Sequence, residues 1–179
     1  MMTRRTFAMA SLALTANAQS STVLRKPRAL QLGDKAALIT PSTAVTDPDR
    51  LELAEFTVRK LALVPIRGRN VGRYFSRHDS IKARVDDLHE AFSDDSIRAV
   101  FAIRGGYGSA QLLDTLDFEL IGRNPKVFAG YSDITALHLA IHQHTGLVTF
   151  HSPVLLSRFT DYTLAAVRRA FFDTRSMTA

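Results

Sequence analysis

Short apolar runs alternate with longer amphipathic stretches along most of the chain, the pattern expected for repeated strand–helix–strand units. Ala36–Thr40 reads as a first buried strand, and Pro41-Ser42-Thr43 turns the chain. Asp47 or Asp49 can cap a helix running through Leu61, and Leu63–Ile66 reads as a second strand. Arg67–Ser76, with Gly68 and Gly72, is loop. Ile81, Val85, Leu88 and Phe92 then recur at helical spacing, which predicts a helix beginning near Asp79 with Arg84, Asp86, Asp87 and Glu90 on its wet face. Ala99–Ile103 is a continuous apolar run of strand length, followed by the glycine loop 104–109 and a helical stretch Ala110–Leu116. The same order returns in Val127–Ala129, Gly130-Tyr131-Ser132-Asp133 and Ile134–His144, and less clearly in Leu147–Phe150 leading to His151-Ser152-Pro153. Leu164, Val167 and Phe171 place a last helix within Asp161–Asp173.

This repetition predicts an α/β fold with a mostly parallel sheet flanked by helices. In such sheets ligands collect beyond the carboxyl ends of the strands, where the three loops following 103, 129 and 150 would lie.

Composition narrows the class. With 179 residues, 46% hydrophobic and 22% charged, the chain suits one globular domain with a real core. The formal charge of +6 is spread over several short clusters rather than gathered in one basic run, which argues against nucleic acid as a partner. The absence of cysteine excludes disulfides, thiolate metal sites and a cysteine nucleophile. The first eighteen residues carry Arg4 and Arg5 before Phe7, the apolar run Phe7–Leu14, and Ala16-Asn17-Ala18, the layout of an export signal of twin-arginine type. The expectation is a periplasmic protein with a leader at 1–18, a linker at 19–31 and a domain at 32–173. The apolar run is too short for a stable membrane span.

Ser132 stands where a strand turns sharply into a helix, a position that exposes a hydroxyl and aims backbone N–H groups at an oxyanion. Gly130 relieves crowding, and the N–H of Asp133 follows the hydroxyl directly. The alternative is that Ser132 or Asp133 only caps the helix. Arg104-Gly105-Gly106-Tyr107-Gly108 permits close backbone approach to a ligand, but it lacks the lysine of a phosphate-binding loop and does not satisfy the dinucleotide-binding pattern. It can equally be a tight turn without a ligand. Because this loop and the Ser132 turn share a sheet edge, Gly106 can supply a second oxyanion donor. Gly105, Tyr107 and Tyr131, flanking these positions, are candidates for substrate contact.

Arg104–Ser109, Leu116-Asp117-Phe118, Asn124-Pro125-Lys126, Gly130–Leu137 and Gly146–Pro153 together resemble, in order and spacing, the LD-carboxypeptidases, serine peptidases whose family includes the microcin C self-immunity peptidases. The resemblance begins near Leu32-Gly33-Asp34 and spans the rest of the chain. It implies a flavodoxin-like N-terminal domain, a nucleophile at Ser132, oxyanion donors from the backbone of Asp133 and Gly106, no cofactor or metal, and a homodimer. The implied reaction is hydrolysis of the L,D bond before the terminal D-alanine of murein tetrapeptides, the muropeptide being the partner. Two positions depart from the family pattern: Ser152 and Ala62 stand where glycine is usual. The glutamate and histidine that complete the family's triad belong to a C-terminal domain not among these residues, with 174–179 read as the start of a linker to it. The expectation is that the chain alone is inactive or nearly so, because a serine hydroxyl without its base is a poor nucleophile.

The chain's six histidines offer weaker alternatives. His138 and His142 are one helical turn apart and could share a metal, but the zincin glutamate is missing. His151 ends a strand on the presumed active edge and could form a local triad with Ser132 and an aspartate. His78, His89 and His144 read as surface residues. Two other functions remain open on the residues: a non-catalytic module that binds peptidoglycan peptides, and a nucleotide-binding domain of flavodoxin type.

Overall fold

The computed structural model describes residues 23–173, apart from the side chains of Arg77 and His78, so the expected leader at 1–18 and the expected linker start at 174–179 lie outside the described residues. Five strands form one parallel sheet: β1 (Lys35–Ile39), β2 (Val64–Arg67), β3 (Ile97–Ala102), β4 (Val127–Gly130) and β5 (Phe150–His151), in the order β2-β1-β3-β4-β5. Between them run α1 (Pro48–Lys60), α2 (Arg77–Ser93), α3 (Phe118–Arg123) and α4 (Thr135–Thr145), with α5 (Asp161–Phe172) after the last strand. Strand order 2-1-3-4-5 is the flavodoxin-like winding, whose ligand crevice opens at the carboxyl ends of the strands where the winding reverses, here between β1 and β3.

The alternation of side chains along each strand sorts the apolar residues onto two faces. Ala36 and Leu38 of β1 and Ala99 and Phe101 of β3 join Leu51, Val58, Val167 and Phe171 in one core, under α1 and α5. Ala37, Ile39, Val100 and Ala102 face Leu88, Phe92, Leu137 and Ile141 in the other, under α2, α3 and α4. Both faces of the central strands are dry, which is why these strands read as unbroken apolar runs.

Local chemistry sets the helix limits. Asp47, the nearer of the two expected caps, accepts from the Asp49 amide at 3.0 Å, and Pro48 occupies the first turn, where its missing N–H costs nothing. Ser76 caps α2 by accepting from the Asp79 amide, so that helix starts two residues before its expected position. Gly146 ends α4 in the left-handed conformation. Ala62, just past α1, also adopts φ 60°, in a position that favours glycine.

Several expectations shift. The stretch 110–116 forms a 3₁₀ segment, Ser109–Thr115, in place of an α-helix. The last strand is Phe150–His151 alone; Leu147 instead bridges Arg25, whose backbone bonds to Gly146 O and Val148 N hold the N-terminal segment against the sheet. Leu30 is buried and its N–H donates to Phe171 O, so the expected linker, though mostly exposed where it is described, is anchored to the domain at this residue. Asp87 and Arg84 do not take the wet face of α2. Asp87 is buried at 4% exposure, accepting from the backbone and side chain of Asn70 at 3.0 Å each, because α2 lies against the loop after β2 as well as the sheet. Lys126 is also buried, its amine donating to Ala91 O and Asp94 O at the end of α2; burial pulls its pKa down to about 8.

Candidate active site

Since β1, β3 and β4 are neighbours, the three loops that leave their carboxyl ends lie side by side: 40–43, 103–109 and 130–133. Three glycines let them close on one another. A Cβ on Gly130 would come within 2.9 Å of Ile134 Cγ2 and 3.1 Å of Ala102 Cβ, so only glycine lets β4 turn there. A Cβ on Gly105 would meet Ser132 Cβ at 3.0 Å and its Oγ at 3.2 Å. Gly106, at φ 125°, lies so close to Thr43 that a Cβ would meet its Oγ1 at 2.1 Å. Thr43 Oγ1 in turn accepts from the Tyr107 amide at 3.1 Å.

Ser132 itself adopts φ 64°, one of two non-glycine residues in the left-handed region among the described residues. It is exposed, and among the described residues its hydroxyl makes no hydrogen bond. Neither Ser132 nor Asp133 acts as a helix cap: the 3₁₀ turn Ser132–Ile134 and α4 have no side-chain cap. The capping alternative is therefore replaced by a different use of Asp133. Its carboxylate reaches across to the other two loops, accepting from Ser42 Oγ at 2.5 Å and from the Ser109 amide at 2.8 Å, while Ser109 Oγ donates to Asp133 O. Burial alone would raise the Asp133 pKa; these donors, with the Gly108 amide, hold it below the ordinary value. Arg84 completes the tie, donating through Nη1 to Pro41 O at 3.1 Å and Gly108 O at 3.0 Å. Its half-burial lowers the guanidinium pKa, against the opposing charge of Asp133.

The roles of Arg84, Ser42 and Thr43 in this network are not visible from sequence. Arg84 falls on a helix face that periodicity marks as solvated, and only the approach of two loops covers it. The one available signal for Ser42 and Thr43 is their place directly after a buried strand.

Of the expected substrate contacts, Gly105 backs Ser132 directly, Tyr107 is 77% exposed at the rim, and Tyr131 is 41% exposed beside Ser132. The Gly106 N–H donates to no group among the described residues, and the Asp133 N–H lies in the first turn of the 3₁₀ segment, where backbone donors lack partners within the turn.

The histidines behave differently from one another. His138 is buried, with Nε2 2.9 Å from Gly130 O and Nδ1 2.9 Å from Thr149 Oγ1. Burial lowers its pKa, outweighing the Gly130 carbonyl, and the ring braces the elbow from behind. With both nitrogens engaged it shares no metal with His142, whose Nδ1 faces Leu147 O. His144 lies at the surface as expected and stacks on Phe118 at 4.3 Å, while the half-buried His89 accepts from the Asp117 amide through Nε2. His78 has no described side chain. His151 lies edge-on to Tyr131 at 6.2 Å, and no hydrogen bond joins it to Ser132, so the local triad is not assembled.

Comparison with known proteins identifies the family and the fold. Residues 36–152 match the family profile described as the LD-carboxypeptidase N-terminal domain. The chain is 44% identical over 133 residues to a probable murein peptide carboxypeptidase of Bacillus subtilis, covering 73% of this chain and 41% of that protein. It is 38% identical over 125 residues to the murein tetrapeptide carboxypeptidase of Pseudomonas aeruginosa, covering 67% of this chain and 39% of that protein. Among solved structures, an MccF-like protein from Bacillus anthracis superposes with a TM-score of 0.76 at 35% identity, over 83% of this chain and 47% of that one. The chain thus spans less than half the length of each of these relatives.

Proposed function

The chain belongs to the LD-carboxypeptidase family, and from that premise we propose that it carries the nucleophile of a serine carboxypeptidase that cleaves the L,D bond before the terminal D-alanine of murein tetrapeptides. The observation that supports this best is Ser132 itself: an exposed hydroxyl without a hydrogen-bond partner among the described residues, on a residue at φ 64°, pressed against a glycine loop. Ser132 Oγ attacks the scissile carbonyl, and the Asp133 and Gly106 N–H groups receive the developing oxyanion. Collapse of the tetrahedral intermediate expels D-alanine, leaving an acyl-serine for water to hydrolyse.

The attacking hydroxyl must lose its proton, and no histidine or carboxylate among the described residues is bonded to it. The base is assigned to a glutamate–histidine pair beyond these residues. The test incubates the 179-residue chain with a murein tetrapeptide, alone and joined to the C-terminal half of a relative. The expected outcome is no D-alanine release above background alone, and release in the joined form that Ser132→Ala lowers by about 10⁴-fold or more. Robust release by the chain alone would overturn this assignment.

The same uncommitted hydroxyl admits a second reading, a module that binds peptidoglycan peptides without cutting them. Calorimetric binding that survives Ser132→Ala, with no acyl-enzyme trapped in the joined form, would favour it. Export through the leader at 1–18 remains part of the proposal; an alkaline-phosphatase fusion to residues 1–30 that stayed inactive in a bacterial host would remove it.

A further inference from the structure

Beside the elbow lies a cavity of about 350 Å³ lined by Tyr131, His151, Ser152, Pro153, Ser157 and Arg158. Its walls are anchored by backbone. His151 pairs with Gly130 across β4 and β5, and the Ser152 amide donates to Gly130 O at 2.9 Å. The chain then crosses to the end of β3, where the amides of Leu155 and Leu156 donate to Ala102 O and Ile103 O at 3.2 and 3.1 Å. A turn closed by the Ser157 amide on Val154 O presents Arg158. The cavity therefore shares its frame with both the Ser132 elbow and the glycine loop.

Its chemistry is one-sided. No acidic side chain lines it, and none of the ion pairs or hydrogen bonds among the described residues engages the Arg158 guanidinium. Arg158 thus offers its planar fork of donors to whatever enters. His151, also without a hydrogen-bond partner there, adds a second nitrogen donor, and the Ser157 hydroxyl can supply another, whereas the Ser152 hydroxyl donates to Pro153 O at 3.3 Å. An arginine fork beside a serine hydroxyl suits a planar carboxylate.

We propose that this cavity binds the free C-terminal carboxylate of the peptide substrate, with Arg158 as the specificity-determining contact. The inference rests on the carboxypeptidase reading and extends it. An enzyme that removes one terminal residue must measure from the reacting carbonyl to a carboxylate one residue away, and consecutive Cα atoms are only about 3.8 Å apart. The required cation must therefore lie next to the nucleophile, and the cavity opens at Tyr131, the residue before it.

The test uses the Ser132→Ala form of the 179-residue chain, so that binding is read without chemistry. Nα,Nε-diacetyl-L-lysyl-D-alanine and its C-terminal carboxamide are titrated and followed by amide NMR. The acid is expected to move the Tyr131, His151 and Ser157 resonances and to bind about tenfold more tightly than the carboxamide; Arg158→Gln abolishes that difference. Equal affinity for acid and carboxamide, indifference to Arg158→Gln, or shifts confined to another surface would each overturn the proposal. The two readings fail separately. Discrimination between acid and carboxamide with no Ser132 chemistry in the joined form removes the catalytic reading and keeps the cavity; Ser132-dependent cleavage of acid and carboxamide alike does the reverse.

Discussion

At the scale of single residues, Asp87 shows what pattern reading misses. Its neighbours in sequence mark a solvated helix face, yet the loop after β2 folds over it, and Gly68 packs so closely that a Cβ there would lie 2.9 Å from its Oδ2. Burial raises the Asp87 pKa from 3.8 to about 6, the Asn70 bonds only partly opposing it. For an acid whose folded value lies above its unfolded one, ionisation favours unfolding. The contribution of Asp87 to stability is therefore full below about pH 4, is lost as the pH rises to about 6, and stays constant above; the rise in pKa corresponds to about 3 kcal/mol. Asp87→Asn keeps an acceptor for Asn70 and removes the ionisation. Urea midpoints measured from pH 4 to 8 should lose most of the decline between pH 4 and 6 in this variant. An unchanged slope would assign the decline to other groups. The turns that carry Ser132 and Gly106, by contrast, were legible because a strand leading into a helical segment through glycine leaves a local signature that does not depend on distant partners.

Among elements, legibility followed length and local chemistry. The long helices α1, α2 and α5 and the buried strands β1, β3 and β4 are set by periodicity and by caps such as Asp47, and the sequence places them within a few residues. The six-residue α3 went unseen because it is too short for a period to establish itself, and Asp117 capping through the Leu120 amide is its main local support. The 3₁₀ geometry of 109–115 and the late start of β5 depend on tertiary contacts that no short window contains. The end of α1 yields a prediction at this scale. Ala62 holds a left-handed conformation that costs a residue with a Cβ roughly 1 kcal/mol, partly offset because alanine restricts the unfolded chain more than glycine does. Ala62→Gly should therefore stabilise the fold by up to about 1 kcal/mol, seen as a raised urea midpoint with unchanged slope. A fall in the midpoint would show that Ala62 has contacts worth more than its backbone cost.

For the molecule as a whole, two cores share one sheet, so damage on either side should be felt throughout. Phe171 is 3% exposed, stacked on Phe101 at 5.7 Å and edge-on to Phe150 at 5.0 Å, and its carbonyl receives the Leu30 N–H. Phe171→Ala should cost about 3–5 kcal/mol and still give one unfolding transition, coincident by far-UV circular dichroism and tyrosine fluorescence. Two separated transitions would show that α5 and its core melt independently. Parallel winding was readable because strand and helix signals alternate; which loops meet was readable only as a shared edge, since the Asp133 and Arg84 ties join residues 91 and 43 positions apart. The left-handed backbone of Ser132 has an evolutionary consequence. Glycine would occupy φ 64° with less strain, so Ser132→Gly should match or exceed the parent chain in thermal stability while losing the hydroxyl altogether. In a lineage released from selection on that hydroxyl, drift would carry this position toward glycine or asparagine. Serine at 132 is then the residue that folding alone would not have chosen.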